Sequence, residues 1–311
     1  MDKLIIVMPC YNEEAVLEET TRQLLPVLES IRSKGKIKAA ELLYVSDGSS
    51  DGTWPLIESL AARHSEVHGV KLAHNAGHQN ALWAGLEWTV DKCDAVISMD
   101  ADLQHDINAI EAMVDKFNEG YEIVYGVRGD RATDSWFKKR TALFFYNLMI
   151  KMGVDIIRNH ADYRLMSNRA IKELMTYPER NIFLRGLVKT LGFNSCEITF
   201  EVKDRFAGES KYTVRKMMNF AMDGITSFSV QPLRWITALG VISLIVSFIE
   251  IIYTIIVFCQ GKTIPGWSSL TISLWLLGGM VLLAMGVIGE YIGKIYKEVK
   301  RRPRFIIEKS I

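Results

Sequence analysis

Two aspartates, Asp100 and Asp102, stand two positions apart directly after a short apolar run at residues 95–99. In an extended segment such side chains point to the same face, so both carboxylates can reach one cation. Carboxylate oxygens suit hard cations such as Mg²⁺ or Mn²⁺, which keep coordination positions open for diphosphate oxygens. Such a cation neutralises charge that develops on a departing nucleotide diphosphate. The pair therefore predicts a metal site, with Mg²⁺ or Mn²⁺ as cofactor.

Two further polar clusters also follow apolar runs. Residues 9–13 (Pro-Cys-Tyr-Asn-Glu) come after the run at 4–8, and residues 47–53 (Asp-Gly-Ser-Ser-Asp-Gly-Thr) come after the run at 42–46. Asp-Gly-Ser alone is also ordinary turn chemistry. Three such clusters at successive strand ends are hard to attribute to turn propensity, and they indicate one site.

Apolar runs alternate with segments of helical spacing over the first part of the chain. The pattern predicts strands at 4–8, 42–46, 67–73, 95–99 and 123–126, and helices at 13–31, 53–64, 79–90 and 107–118, with a bend or break at Pro26. This alternation predicts an α/β fold, a mostly parallel sheet with helices on both faces. In such sheets ligands bind at the carboxyl ends of the strands, where the polar clusters lie.

Two long hydrophobic runs near the end of the 311-residue chain predict a membrane anchor. Residues 235–259 contain one charged residue, Glu250, and residues 268–289 contain none. Each run exceeds the roughly 20 residues that cross a hydrocarbon core. Arg234 precedes the first run and a basic tail follows the second, so the positive-inside rule places both flanks in the cytoplasm. The alternative, a buried helical hairpin, does not account for the basic tail.

The first residues and the net charge bear on where the protein lies in the cell and on which partners it binds. The apolar run at 4–8 ends at Pro9 and does not resemble a signal peptide, so we expect a multi-pass protein of the cell inner (cytoplasmic) membrane with its catalytic part and both termini in the cytoplasm. The net charge of +1 gives no support for a nucleic-acid partner.

The ordered set of motifs resembles the family 2 inverting glycosyltransferases with the GT-A fold. Within that family it is similar to the polyprenyl-phosphate branch, which contains bactoprenol glucosyltransferases and dolichyl-phosphate mannose synthases. The two-helix anchor resembles the bactoprenol members more closely. The resemblance covers nearly the whole chain and rests on Pro9-x-Tyr-Asn-Glu13, Asp47-Gly-Ser-x-Asp51-x-Thr53, Asn75-x-Gly77, Asp100-x-Asp102-x-Gln104, Asp162-Tyr-Arg-Leu165, Arg205–Tyr212 and Gly289–Tyr296.

The resemblance implies roles for residues of the polar clusters. The donor nucleotide, with uridine the favoured base, would be bound by Pro9, Tyr11, Glu13, Asp47 and Asp100. The catalytic set would be Asp102, Gln104 and Asp162, with Gln104 near the diphosphate or the sugar. Whether Asp162 acts as a base or orients other groups stays open, because a phosphate acceptor is already largely ionised near neutral pH.

The lipid phosphate acceptor implies a set of cationic and hydroxyl groups. Arginine makes forked hydrogen bonds to phosphate, although an isolated arginine is also an ordinary solvated surface residue. The predicted acceptor-binding residues are Arg128, Arg140, Arg205, Ser210 and Lys211.

Four segments follow from these patterns. We expect a cytoplasmic GT-A catalytic domain at 1–211, an interfacial amphipathic helix at 212–230, a two-helix transmembrane anchor at 231–293 and a basic cytoplasmic tail at 294–311. The helix at 212–230 could instead pack against the catalytic domain.

The predicted reaction is inverting transfer of a single hexose from a UDP-sugar to polyprenyl (undecaprenyl) phosphate at the cytoplasmic membrane face. UDP-glucose and UDP-N-acetylglucosamine are the favoured donors. The product would serve cell-envelope glycosylation through a separate flippase and a downstream glycosyltransferase, and a homo-oligomer in contact with membrane lipid is plausible by resemblance.

Two other functions remain open. Gln231-Pro-Leu-Arg-Trp235 spells the Gln-x-x-Arg-Trp pattern of processive polysaccharide synthases, but two helices cannot enclose a channel for a polymer unless several chains contribute. A non-catalytic membrane scaffold that binds sugar nucleotides is the second alternative, and the intact Asp47, Asp100 and Asp102 argue against it.

Overall fold

The computed structural model describes residues 1–129, 157, 160–201, 226, 229–260 and 266–311. Within these ranges the chain forms the following elements in order: β1 (Lys3–Cys10), α1 (Glu14–Ser33), β2 (Ala39–Ser46), α2 (Thr53–Arg63), β3 (Val67–Leu72), α3 (His78–Thr89), β4 (Ala95–Ser98), α4 (Ala109–Asn118), β5 (Ile123–Arg128), β6 (His160–Ser167), α5 (Asn168–Met175), α6 (Leu184–Thr190), β7 (Ser195–Phe200), α7 (Gln231–Cys259), α8 (Trp267–Lys300) and β8 (Ile307–Ser310).

The strands form one eight-stranded sheet in the order β7-β5-β6-β4-β1-β2-β3-β8. The pairings β1–β2, β1–β4, β2–β3 and β5–β7 are parallel, whereas β6 is antiparallel to both of its neighbours and β8 is antiparallel to β3. The prediction of a mostly parallel α/β sheet is therefore confirmed. The two reversed strands, β6 and β8, were not predicted.

Hydrophobic side chains of β1 alternate between two cores, one on each face of the sheet. Leu4, Ile6 and Met8 pack with residues of α1, α2 and α4. Ile5 and Val7 pack with residues of α3, α5 and α6. Successive strand residues point to opposite faces, so a continuous apolar strand requires helices on both sides, as the sequence predicts.

The break predicted at Pro26 does not occur, because α1 continues through this residue. Proline has no N–H group, so the backbone carbonyl of Arg22 loses its helical hydrogen bond. Because Pro26 is exposed, water can bind that carbonyl instead.

Both hydrophobic runs near the end of the chain are helical, in α7 and α8. Among the described residues, Leu276–Lys300 in α8 is the one segment long and apolar enough to cross a membrane. Two membrane-spanning helices are therefore not confirmed: α8 meets the requirement of length and composition, and the crossing of a membrane by α7 and α8 stays a prediction. The interfacial helix predicted at 212–230 falls largely outside the described residues.

The segment predicted as a basic tail contains ordered structure. It includes the end of α8 and the strand β8, which pairs with β3 at the edge of the sheet. The last residues of the chain are thus part of the eight-stranded sheet.

Candidate active site

The loops that follow β1 and β2 are joined by hydrogen bonds between side chain and backbone. The Asn12 backbone N–H donates to Ser49 Oγ at 3.1 Å, and Asn12 Oδ1 accepts from the Ser50 N–H at 2.9 Å. The Glu13 N–H donates to Thr53 Oγ1 at 2.9 Å. These bonds fix residues 11–13 beside the loop that carries Asp47.

Asp47 joins this pair of loops to the loop that precedes α3. Its buried carboxylate accepts hydrogen bonds from the backbone N–H groups of Ala76, at 2.6 Å, and Gly77, at 3.0 Å. Burial raises the pKa of Asp47, and the two N–H groups oppose that effect. Gly48 has φ +62°, and a Cβ there would lie 2.4 Å from the His74 carbonyl carbon. The two loops therefore approach as closely as glycine allows.

The predicted donor-binding residues of the first cluster lie at this same edge. Pro9 is buried and pairs with Val45 of β2, Glu13 is half-buried, and the Tyr11 side chain is exposed. The structure thus places Tyr11 where its ring is accessible to a planar ligand.

Asp100, Asp102 and Gln104 lie on the loop after β4. Asp102 is buried, and its Oδ1 accepts from the Gln104 N–H at 3.2 Å. The Asp100 N–H donates to Nδ1 of His105 at 3.2 Å. His105 is buried and stacks on Tyr163 with ring centroids 4.8 Å apart. Burial lowers the pKa of His105, so this ring supports the loop as a neutral imidazole.

The two aspartates offer part of a metal site. In the described part of the chain, no group of three or more His, Cys, Asp and Glu side chains is arranged to hold a metal ion. Two carboxylates on one loop nevertheless fit a hard cation whose remaining ligands are diphosphate oxygens and water. The residues therefore fit Mg²⁺ or Mn²⁺ when the donor is bound.

Asp162 is held by two arginines. It lies in β6 beside Arg164, and both side chains are buried. Asp162 Oδ1 accepts from Arg164 Nη2 at 2.6 Å and from Arg185 Nε at 3.2 Å, while Oδ2 accepts from Arg185 Nη2 at 3.0 Å. Burial acts to raise the pKa of Asp162, but Arg185 and Arg164 outweigh it and hold that pKa well below its usual range.

His78 connects this cluster to the β4 loop. It is the first residue of α3, and its Nε2 lies 3.7 Å from Asp100 Oδ1 and 3.8 Å from Asp162 Oδ2. The structure therefore brings Asp100 and Asp162 to the same imidazole nitrogen, and Asp47, which binds the Gly77 N–H, lies at the same edge, the carboxyl ends of the parallel strands.

Of the residues predicted to bind the acceptor, one is described. Arg128 is exposed at the last residue of β5, at the same edge of the sheet as the carboxylates. The other four, Arg140, Arg205, Ser210 and Lys211, lie outside the described residues.

Sequence reasoning did not assign roles to His78, His105, Arg164 or Arg185. His105 follows the motif that ends at Gln104, and Arg164 lies within the motif that begins at Asp162. Both residues could therefore have been identified from the sequence. Arg185 is 23 residues from Asp162 on the short helix α6. No spacing rule connects them, so the sequence alone gave no sign of this contact.

Comparisons with known proteins agree with the observed fold. The family model described as Glycosyl transferase family 2 matches residues 5–190, and the model described as GtrB C-terminal hairpin matches residues 231–295. The chain is 51% identical to the uncharacterized glycosyltransferase YkoT of Bacillus subtilis (strain 168), over 98% of this chain and 91% of that protein. It is 37% identical to the bactoprenol glucosyl transferase of Shigella phage SfII, over 99% of this chain and 98% of that protein.

A solved structure, glucosyl-3-phosphoglycerate synthase from Mycobacterium tuberculosis with Mn²⁺, UDP and phosphoglyceric acid, is 17% identical with a TM-score of 0.48, over 72% of this chain and 76% of that chain. This similarity is too low to bear on the ligands of the present chain. The two family models and the relatives cover nearly all of the sequence. The chain therefore belongs to the family 2 glycosyltransferases with a GT-A-like fold, in the branch that contains the bactoprenol glucosyl transferases.

Proposed function

We propose that the chain transfers a single hexose from a UDP-sugar to polyprenyl phosphate, with inversion at the anomeric carbon and release of UDP. The observation that carries this proposal is the convergence of Asp47, Asp100 and Asp162 at one edge of the sheet: His78 lies near Asp100 and Asp162, and Asp47 binds the N–H of Gly77, the residue before it. The names of relatives, which specify bactoprenol and glucose, support the acceptor and favour UDP-glucose, with UDP-N-acetylglucosamine as the second donor to test.

The donor nucleotide would bind between the loops after β1 and β2. A carboxylate has about four lone-pair sites, so Asp47 retains acceptor capacity beyond its bonds to Ala76 and Gly77. It can accept from an N–H group of uracil, while the exposed Tyr11 ring offers a stacking surface. Glu13 and the Pro9 backbone would complete the nucleoside pocket.

Asp100 and Asp102 would hold Mg²⁺ or Mn²⁺ against the donor diphosphate, and Gln104 would lie beside the diphosphate or the sugar. When bound, the cation supplies electrostatic stabilisation of the negative charge on the leaving diphosphate. The protein positions this loop through the hydrogen bond from Gln104 to Asp102 and through His105 beneath Asp100.

Asp162 would position arginines and not remove a proton. A carboxylate whose pKa lies well below the usual range is a weak base near neutral pH. A phosphate monoester is already an anion there and needs little help from a base. Asp162 instead fixes the Arg185 guanidinium, whose side chain is 26% exposed and so can also contact an anionic phosphate.

The acceptor would reach the site from the membrane. We place α7 and α8 across the bilayer, with both termini and the catalytic domain cytoplasmic and the interfacial helix at 212–230 on the membrane surface. Arg128, Arg140, Arg205, Ser210 and Lys211 would bind the lipid phosphate. Enzymes on the opposite face could use the product after a separate flippase moves it across.

A panel assay tests this function. The full-length protein is incubated with undecaprenyl phosphate, Mg²⁺ or Mn²⁺ and radiolabelled UDP- and GDP-sugars, and label is counted in the lipid extract. We expect label from one UDP-sugar. Label only in polymer would favour a processive synthase, and donor binding without any transfer would favour a scaffold.

A further inference from the structure

The end of the membrane helix α8 contacts a loop of the catalytic domain, residues 176–183, which joins α5 to α6. The Glu298 carboxylate accepts from the Arg180 N–H, at 2.9 Å and 2.8 Å to its two oxygens, and from the Asn181 N–H at 2.7 Å. Hydrogen bonds from backbone N–H groups to an ionised carboxylate are about twice as strong as neutral ones. Glu298 therefore ties the last turns of α8 to the 176–183 loop.

Arg304, just beyond α8, makes a second connection to the same loop. Its Nη2 donates to the carbonyl oxygens of Tyr177 at 2.7 Å and Glu179 at 2.8 Å. Its guanidinium also lies 4.2 Å from the ring centroid of Trp83, which is fully buried in α3. A cation over an indole face is attracted by the ring, so Arg304 joins the loop to the core of the catalytic domain.

The 176–183 loop continues directly into the candidate active site. Leu184, the first residue of α6, donates its N–H to Gln79 Oε1 at 3.0 Å and accepts from Arg164 Nη1 at 3.3 Å. The next residue is Arg185, which holds Asp162 through two hydrogen bonds. Glu298 of α8 thus binds one end of the segment 180–185, and Asp162 binds the other end.

We propose that α8, through Glu298, positions Arg185 for the transfer reaction. The position of α8 in the membrane then sets the position of the 176–183 loop, and the loop sets the orientation of Arg185 on Asp162. Glu298 is a positioning residue, because its contacts are with backbone N–H groups and it acts through Arg185. The effect of Arg185 on the reaction rests on the proposed function, whereas the effect of α8 on the position of the 176–183 loop and of Arg185, the structural part, does not.

Hydrogen–deuterium exchange tests the structural part in the full-length protein, in detergent or nanodiscs. Glu298→Gln removes the charge that strengthens the bonds to Arg180 and Asn181. We expect faster exchange in peptides that cover the loop and α6, residues 176–190. The matched control is Glu173→Gln, an exposed glutamate on α5, which should leave exchange unchanged. Faster exchange confined to residues 180–181, with α6 unchanged, would overturn the inference.

Kinetics test the positioning role. Because a displacement of about 1 Å can cost on the order of 100-fold in rate, we expect Glu298→Gln to lower kcat about 10- to 100-fold with the KM for the UDP-sugar nearly unchanged. Glu298→Asp, which keeps the charge, should recover part of that loss, and Glu173→Gln should resemble wild type. A rise in donor KM with unchanged kcat would contradict the assignment.

A double-mutant cycle separates this role from simple destabilisation. If Glu298 acts through Arg185, the Glu298→Gln change should lower kcat by a much smaller factor in an Arg185→Lys background than in wild type. Equal costs in both backgrounds would refute the connection. If the wild-type protein transfers no sugar to a polyprenyl phosphate, the proposed function fails, and the exchange experiment still decides whether α8 controls the loop.

Discussion

At the scale of single residues, the carboxylates of the site lie in different surroundings. Asp162 is buried between Arg164 and Arg185, so its charge is matched by two guanidiniums. Asp100, on the loop after β4, keeps a side chain that is 35% exposed. We therefore expect replacement of Asp162 to disturb folding and activity together, and replacement of Asp100 to affect chiefly ligand binding.

Asp102→Ala should abolish turnover while the protein stays folded, because it removes a proposed metal ligand and leaves the backbone of the loop unchanged. Activity in lipid extracts and the thermal unfolding temperature of the same sample give the two readouts. A chelator should also stop the wild-type enzyme, and added Mg²⁺ or Mn²⁺ should restore it. Near-normal activity with the chelator present would refute the metal assignment.

Asp162→Asn should lower the free energy of unfolding by about 3–5 kcal/mol, since it leaves the buried Arg164 without a counter-charge. The folded-state pKa of Asp162 is lowered, so its contribution to stability is fully present above the unfolded value of about 3.9 and is lost as the pH falls through the folded value. The difference in free energy of unfolding between wild type and Asp162→Asn, measured by denaturation, should stay constant between pH 7 and pH 5. A difference that disappears in that range would contradict the described pKa.

At the scale of elements, the loop after β2 depends on a close approach of two backbones. A Cβ on Gly48 would lie 2.4 Å from the His74 carbonyl carbon and 2.5 Å from the Asn75 nitrogen. Neither atom is at the end of a flexible side chain, so the loops would have to separate. Asp47, which spans the two loops, would lose its hydrogen bonds to Ala76 and Gly77.

Gly48→Ala should therefore lower both the stability and the affinity for UDP, with a loss of stability of about 1–3 kcal/mol from strain alone. Gly35→Ala is the matched control, because Gly35 also has a positive φ, +73°, but has nothing within 4 Å of its added Cβ. Calorimetry would measure UDP binding to each variant. Equal affinities in the two variants would show that the close approach does not shape the donor site.

The elements also show where sequence reasoning succeeds. Apolar runs and helical spacing predicted the first five strands and four helices to within a few residues, because each pattern is local. The reversed strand β6 and the edge strand β8 depend on pairing between distant segments, which local patterns do not contain. The same reason explains why motifs located Asp47, Asp100 and Asp162 while the contact of Arg185 with Asp162 was missed.

At the scale of the whole molecule, the residues after α8 return to the eight-stranded sheet. β8 pairs with β3, and two charged residues within β8 form ion pairs, Glu308 with Lys71 at 2.8 Å and Lys309 with Glu58 at 2.7 Å. The segment after α8 is therefore attached to the sheet by strand pairing and by ion pairs. This arrangement suits an enzyme that takes its acceptor from the bilayer.

The proposed orientation can be tested with native cysteines. Cys259 is exposed at the end of α7, next to residues 260–266, which the proposed orientation puts on the outer side of the membrane, whereas Cys196 lies half-buried on β7. In spheroplasts, a membrane-impermeant maleimide should label Cys259, and Cys259→Ser should remove that label. Cys196 should react after permeabilisation only. Labelling of Cys196 from outside would contradict the cytoplasmic placement.

The mass of the lipid product made by the full-length enzyme from a UDP-hexose and undecaprenyl phosphate tests the proposed transfer directly. We expect one product whose mass equals that of the lipid phosphate plus a single hexose residue, with UDP released in equal amount. A product with several sugars per lipid, or UDP-hexose that is bound but never transferred, would contradict it.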